Sequence, residues 1–422
     1  MKTFGFPAVS LCALLLCLTM TVSGAGAQTG QAAFESRINA AYADTGATDE
    51  ELIDVVTTTY LEMTAALYSG ISGLDRTFIL NDSEEFAPCH TYFEQSHRNE
   101  FAGEQLHDPE YTVTVNSITT AGNCAEAKAT LFFSWRYAQL DFDSGLSVDY
   151  TFTLEKVQGA WLIGDIQTNA FEDTQWRLCG YASEEDNCES DSQSFSTNPD
   201  DTDFLTPEEM FEYEQSFTAQ HASAAGASSV SINRNAVSTY ASTYYQNYNS
   251  QFPSWEASNT DCQNFASQCI WAGFGGTAPS SSTYSFPMLP NWHMTSGTGG
   301  TASWTSCSTF RSNAFRSSGA ESGVYGVCWS MPKKTSGNED VYEDYVSTLE
   351  VGDIVHFKWN GNGNQHAMVV VQTTGISGAR TPSDIILAGH TTNEYGRSLE
   401  NKLRLNGYPQ YWAIRIMSVY TP

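Results

Sequence analysis

Twice along this chain the hydrophobic rhythm passes from the helical period to the strand period, and that double change limits the fold more than any other feature. Thr48 to Leu67 sets Leu52, Val55, Val56, Tyr60, Met63 and Leu67 close to a helical repeat, which predicts a helix capped by Thr48. Glu84 to Phe101 predicts a second, polar helix. Tyr111 to Val115, Ala127 to Tyr137, Val148 to Val157 and Trp161 to Asn169 then alternate apolar and polar residues, split by turns at Gly122-Asn123, Gly145 and Gly159. That is the pattern of a half-buried antiparallel sheet. The order recurs further on. Asn233 to Tyr248 predicts an aromatic-rich helix, followed by helices from about Asp261 and over Ser303 to Arg316. Strands follow at Ile354 to Trp359, Ala367 to Gln372, Ile385 to Leu387 and Tyr411 to Val419. Helices first and antiparallel strands afterwards, in each half, predict two units of the α+β class.

Charge separates the same two units. Residues 231–422 hold 12 Asp+Glu and 11 Lys+Arg, leaving 36 and 8 of the chain's 48 and 19 to residues 1–230. Surfaces that different argue for separate domains. So acidic a front half excludes nucleic acid and other polyanions as partners, because Lys and Arg supply nearly all affinity for phosphate. Between the units, Glu, Asp and Ser dominate Glu184 to Asp203, and Ala, Ser and Gly fill Ala219 to Ser231. This predicts a linker over 181–231, between an N-terminal α+β domain at 28–180 and a second domain at 232–422. Asp200, Asp201 and Asp203 lack the Gly and the spaced Glu of a calcium loop and read as a solvated acidic face. The front domain's element order resembles the cone-shaped fold of the nuclear-transport-factor superfamily.

The chain opens with Lys2, an apolar run from Val9 to Met20, and Ala25-Gly26-Ala27. This is the layout of a secretory signal over residues 1–27, cleaved after Ala27, with no stable membrane insertion once it is removed. Secretion makes disulfides the default for cysteine. Of the ten cysteines, Cys12 and Cys17 fall in the signal and eight remain. Cys262 and Cys269 are seven residues apart on one predicted helix, about 10.5 Å of axial rise, too far to bridge. Cys269 falls on the apolar face and is expected to be a buried thiol. The other six are expected to pair within their own segments, as Cys89–Cys124, Cys179–Cys188 and Cys307–Cys328.

The sharpest stretch is Thr260-Asp261-Cys262-Gln263-Asn264-Phe265-Ala266-Ser267-Gln268-Cys269. Thr260 or Asp261 can cap a helix, which puts Cys262 in its first turn. Backbone N–H groups there favour the thiolate and can also hold an oxyanion. Gln365-His366-Ala367 sets a histidine at the mouth of a buried strand, and Gly389-His390-Thr391-Thr392-Asn393 sets another at the end of the next. His366 can take the thiol proton. His390, or failing it Asn393, can fix the tautomer of His366 from its other nitrogen. One Cys and two His also form a partial zinc set, but His293 and His356 lie in unrelated elements, so neither metal nor cofactor is expected. His356 reads as structural or exposed, Asp353 as a turn residue, and most tryptophans as core.

Together "DCQNFASQC", "SWTS" at Ser303 to Ser306, "VGDIVHF", "QHAMVVV" and "GHTTN" occur in the order of the putative amidase family, which is similar to the NlpC-type and CHAP-type cell-wall cysteine hydrolases. The resemblance covers about residues 232–420. It implies a papain-like fold, Cys262 as nucleophile, His366 as base and His390 as third polar residue. It also implies amide substrates such as peptidoglycan peptides. The sequence departs from the family between Gly276 and Glu350, which reads as an insertion stapled by Cys307 and Cys328. A catalytically silent exported binding or adhesion protein, and an acyl or peptidyl transferase using the same cysteine, are the competing readings.

Overall fold

The computed structural model describes residues 18–21, 37–43, 46–68, 101, 106–138, 140–170, 228–255, 260–279, 284–295, 299–316, 321–331, 344–358, 365–405 and 409–421. Helices and a mostly antiparallel sheet place the chain in the α+β class. All but Phe101 of the helix expected at 84–101, the pair Cys179–Cys188 and nearly all of the linker lie outside the described residues.

Helix α1 (Asp49–Tyr68) forms where the periodicity places it. Its start is closed reciprocally. The Glu51 N–H donates to Thr48 Oγ1 at 3.2 Å, and the Thr48 N–H donates to Glu51 Oε2 at 2.7 Å, which satisfies two donors the helix cannot satisfy itself. Leu52, Ile53, Val56, Tyr60, Met63 and Leu67 are buried, and each large apolar side chain so covered contributes about 1.5–3 kcal/mol. They pack on a meander of β2 (Leu106–Ala121), β3 (Cys124–Tyr137), β4 (Ser144–Val157) and β5 (Ala160–Thr168). Tyr60 meets Phe152 edge to face at 5.7 Å. Before them, β1 (Leu18–Thr21), inside the segment read as a secretory signal, pairs with Glu110–Val113 of β2.

Gly145 is no turn. It lies inside β4, where a Cβ would stand 2.9 Å from Tyr245 Oη. That close approach lies where the two halves of the chain meet. The edge of β4 away from β3 is shared, with Tyr150–Val157 pairing with β5 and Gly145–Ser147 pairing with Asn393–Tyr395 of β14 (Asn393–Ser398). A single sheet of 13 strands therefore runs through both halves, and β7 (Met294–Thr295) and β8 (Gly299–Gly300) form a separate ribbon.

From β14 the sheet continues through β13 (Ile385–Gly389), β12 (Gln365–Thr373), β11 (Ile354–Lys358) and β15 (Gln410–Thr421) to β10 (Gly323–Met331) and β9 (Phe315–Arg316). The last pair is parallel and the others antiparallel. Strand β6 (Ser228–Ser231), in the tail of the expected linker, joins β15. The stretch read as an insertion supplies β10, which is integral to the sheet. Its cysteines are not a staple, since Cys307 and Cys328 are both unbridged, as is Cys124, exposed at the start of β3. Asp353 is more than a turn residue. Buried, it accepts from the Ile416 N–H at 2.9 Å, the Glu350 N–H at 2.8 Å and Arg234 Nη1 at 3.0 Å.

On one face lie α2 (Arg234–Tyr244) and α3 (Cys262–Gly273). The predicted helix over Ser303 to Arg316 is broken into α4 (Ala302–Thr305), α5 (Cys307–Thr309) and a π-turn, Phe310–Ala314. Ser306, extended between the first two, caps α5 by accepting from the Thr309 N–H. A helical repeat can be read through such a break because the apolar spacing continues across it. α6 (Leu399–Leu405) follows β14 directly.

Candidate active site

Cys262 is the first residue of α3, and Asp261 occupies the cap position without capping. The wholly buried carboxylate of Asp261 turns inward. Its Oδ1 accepts from the Trp255 N–H at 2.8 Å and Asn264 Nδ2 at 2.9 Å, and its Oδ2 from His390 Nδ1 at 2.7 Å. The residue that a sequence rule makes a helix cap thus works as an anchor for the loop entering α3. The N–H groups of the first helical turn are not spent on its side chain.

Three groups stand close enough to the Cys262 sulfur to act on it, namely the Cys307 thiol, the His366 ring and the Ala367 backbone N–H. The Cys307 hydrogen bond, then the hydrogen bond and charge of His366, hold Cys262 well below the ordinary thiol range despite burial, which opposes them. Cys262 Sγ also reaches the Gln365 carbonyl as a donor, at a long 4.0 Å. Cys307 is shifted the other way. Its bond to Cys262, its burial and the charge on Cys262 push it well above the usual range, so it remains the thiol of the pair.

Cys262 and His366 are therefore brought together, as expected, with His366 buried at the start of β12 and its ring 6.4 Å from Phe357. His390 is not brought to His366. Its Nδ1 is engaged by Asp261 and its Nε2 by the Tyr244 carbonyl at 2.9 Å. Its ring lies between Phe265 at 3.9 Å and Tyr248 at 4.3 Å. With both ring nitrogens engaged, His390 ties the end of β13 to the start of α3 and the end of α2. The reason is register. Val369 pairs with Ala388, so continuing the ladder sets His390 opposite Ala367, one residue away from His366, and successive residues face opposite sides of a sheet. Asn393, the fallback for the third role, accepts from the Tyr248 hydroxyl at 3.0 Å. Thr391, between them, holds a buried left-handed conformation, φ +86°. A β-branched residue there stores about 1–3 kcal/mol of strain.

Sequence patterns gave no sign of Arg311, in the π-turn. Its Nη1 donates to His356 Nδ1 at 2.6 Å and its Nη2 to Gln365 Oε1 at 2.7 Å, while its guanidinium lies 3.8 Å above Trp412. It stands close enough to Cys307 for their charges to interact. His356 is wholly buried, not exposed, and burial with the charges of Arg311 and His366 pushes it well below the usual histidine range. With Nδ1 accepting from Arg311, its proton belongs on Nε2. The available signal was local: an arginine in an otherwise uncharged stretch, Ser303 to Phe315, and a histidine in a strand whose neighbours are buried.

Among the described residues no group of three or more His, Cys, Asp or Glu could hold a metal ion. A polar cavity of about 410 Å³ is lined by Asn291, Thr301, Ala302, Ser303, Thr309, Asn313 and Arg316. Ser303 and Thr309 flank Cys307 in sequence, but neither Cys262 nor His366 lines it.

Residues 231–414 match the model of a family described as "Putative amidase domain". Among solved structures, the chain is similar to the crystal structure of a putative calcium/calmodulin dependent protein kinase II association domain from Xanthomonas campestris. The two are 16% identical over 29% of this chain and 89% of that one, with a TM-score of 0.19. A search of the curated proteins finds no match.

Proposed function

We propose that the putative amidase domain at residues 231–414 hydrolyses amide bonds by covalent catalysis, with Cys262 as nucleophile and His366 as proton carrier in a papain-like arrangement. The observation that carries this reading is the convergence of the Cys307 thiol, the His366 ring and the Ala367 N–H on one sulfur at a helix start. The thiolate adds to the substrate carbonyl, and the first-turn N–H groups of α3 would donate to the developing oxyanion. The C–N bond breaks as the proton held by His366 passes to the leaving amine, giving a thioester on Cys262. His366 then takes a proton from water. The water oxygen attacks the thioester, and the acid leaves as the Cys262 sulfur is released.

His390 and Asp261 act here by position, fixing the loop in front of Cys262. Peptide amides of the cell wall, peptidoglycan peptides above all, are the substrate class this reading favours. The export layout of residues 1–27 would bring the protein to them. Cleavage after Ala27 would also remove β1 and leave Glu110–Val113 as the sheet edge.

The test is incubation of the purified full chain with muropeptides and with protein substrates, followed by mass analysis of the products. Release of an amine and an acid, lost in Cys262→Ala, supports the reading. Products joined to an added amine would mark a transferase, and no product from any amide would favour a silent binding protein.

A further inference from the structure

Hydrolysis needs one sulfur, yet the site holds two. Cys307 opens α5 as Cys262 opens α3, and its thiol donates to the Cys262 sulfur. The two segments are bolted together next to the sulfurs. Ser267 Oγ donates to the Trp304 carbonyl at 2.8 Å, and Trp304 Nε1 donates to Asn264 Oδ1 at 2.9 Å. Neither thiol is in a disulfide. Both residues are buried, Cys262 keeping 6% of its surface and Cys307 5%. The Arg311 guanidinium favours negative charge on Cys307 and so eases the loss of its proton when a reaction requires it.

We propose that Cys262 and Cys307 form a peroxide-sensitive modification site in which Cys307 is the resolving thiol. In the first step the Cys262 thiolate attacks one oxygen of hydrogen peroxide. An S–O bond forms, the O–O bond breaks, and the departing hydroxide takes a proton to become water. Cys262 is oxidised to the sulfenic acid and the peroxide is reduced. In the second step Cys307 gives up its proton and attacks the Cys262 sulfur. An S–S bond forms, the S–O bond breaks, and the hydroxyl leaves with that proton as a second water. Two thiols and one peroxide become one disulfide and two waters. The bridge masks the sulfur that attacks substrate and spares it from further, irreversible oxidation. The inference rests on the neighbouring sulfurs and needs no amide substrate, so it can fail or hold apart from the hydrolase reading.

The experiment uses the full chain, reduced and desalted, then exposed to hydrogen peroxide, alkylated with iodoacetamide and mapped by peptide mass. The expected result is a peptide joining Cys262 to Cys307, lighter by two hydrogens than the two separate peptides, with loss of label at Cys262 and its return after dithiothreitol. Cys328→Ala should bridge as the parent does. Cys307→Ala and Cys307→Ser should instead carry Cys262 on to sulfinic acid, which dithiothreitol does not reverse. The parent map decides the matter even if those variants fold poorly. A Cys307–Cys328 bridge, sulfinic acid on Cys262 of the parent, or a Cys262 that stays fully alkylatable would each overturn the proposal.

Discussion

In β3 buried and exposed residues alternate along nearly the whole strand, while β13 and β14 are buried at every position. The front strands, covered by α1 on one face, keep polar residues on the other. The back strands, covered on both faces, must place Glu394, Arg397 and their neighbours inside the protein. The helix starts differ in the same sense. α1 is closed by Thr48 and Glu51, whereas α3 begins at Cys262 behind a carboxylate that caps nothing. The cap rule is satisfied at α1 and broken at α3, beside the Cys262 sulfur, where the Asp261 carboxylate is bonded to other buried polar groups instead.

The largest effect expected is on chemistry. Cys262→Ala should lower amide hydrolysis by roughly 10⁴-fold or more, His366→Ala nearly as much, with the fold retained in both. Steady-state rates beside circular dichroism check this, and near-parental turnover in Cys262→Ala would sink the mechanism. Next comes the buried charge cluster. Lys402 Nζ lies 2.7 Å and Arg397 Nη1 3.6 Å from the Glu394 carboxylate, and the Arg397 guanidinium lies 4.5 Å above Phe101 and 5.7 Å above Trp135. Arg397→Ala should cost about 4 kcal/mol, read by chemical unfolding. A loss no larger than that of an exposed front-face substitution would erase the contrast between the halves.

His390→Ala should destabilise by about 3 kcal/mol, since it leaves a buried oxygen of Asp261 without its donor. The structure makes this a stability effect first and an activity effect second. A variant with parental stability and lost activity would restore His390 to a direct role beside His366. Cys307→Ala should move the onset of Cys262 alkylation to higher pH. Removing the largest cause that holds the thiolate at low pH raises the sulfur's pKa, so the reactive form appears later as pH rises. An unmoved profile of iodoacetamide rate against pH would show that His366 and Ala367 suffice. The smallest effect belongs to the well-behaved helix, where Thr48→Ala should cost about 1 kcal/mol in thermal unfolding and leave alkylation unchanged.

These expectations also trace what could be read from the chain. α1 and β2 to β5 were legible because one-sided burial writes a period into the sequence, and β11 to β13 because a short unbroken apolar run between Gly- and Asn-bearing turns reads as a buried strand. So was the meeting of Cys262 with His366, because a helix start and a strand mouth are local signals. β14 was missed for the opposite reason, since a strand buried on both faces that carries Glu394 and Arg397 has no period to read. The partner of His390 was invisible because strand register, not spacing along the chain, decides which side chains meet. Gly145 passed for a turn because its reason for being glycine, the Tyr245 hydroxyl, arrives from another part of the chain.

The shared edge of β4 has a consequence for anyone who cuts the chain in two. Residues 393–395 of β14 and 145–147 of β4 satisfy one another's backbone hydrogen bonds. Phe142 packs on Tyr395 at 5.0 Å across the same seam. Separation would give each fragment a fresh, unprotected sheet edge flanked by aromatic rings. Such edges recruit strands from other molecules, so the fragments should self-associate more readily than the intact chain, the back fragment through β14 and the front through β4. Between the two halves, the amide groups of three residues act as a shield against aggregation.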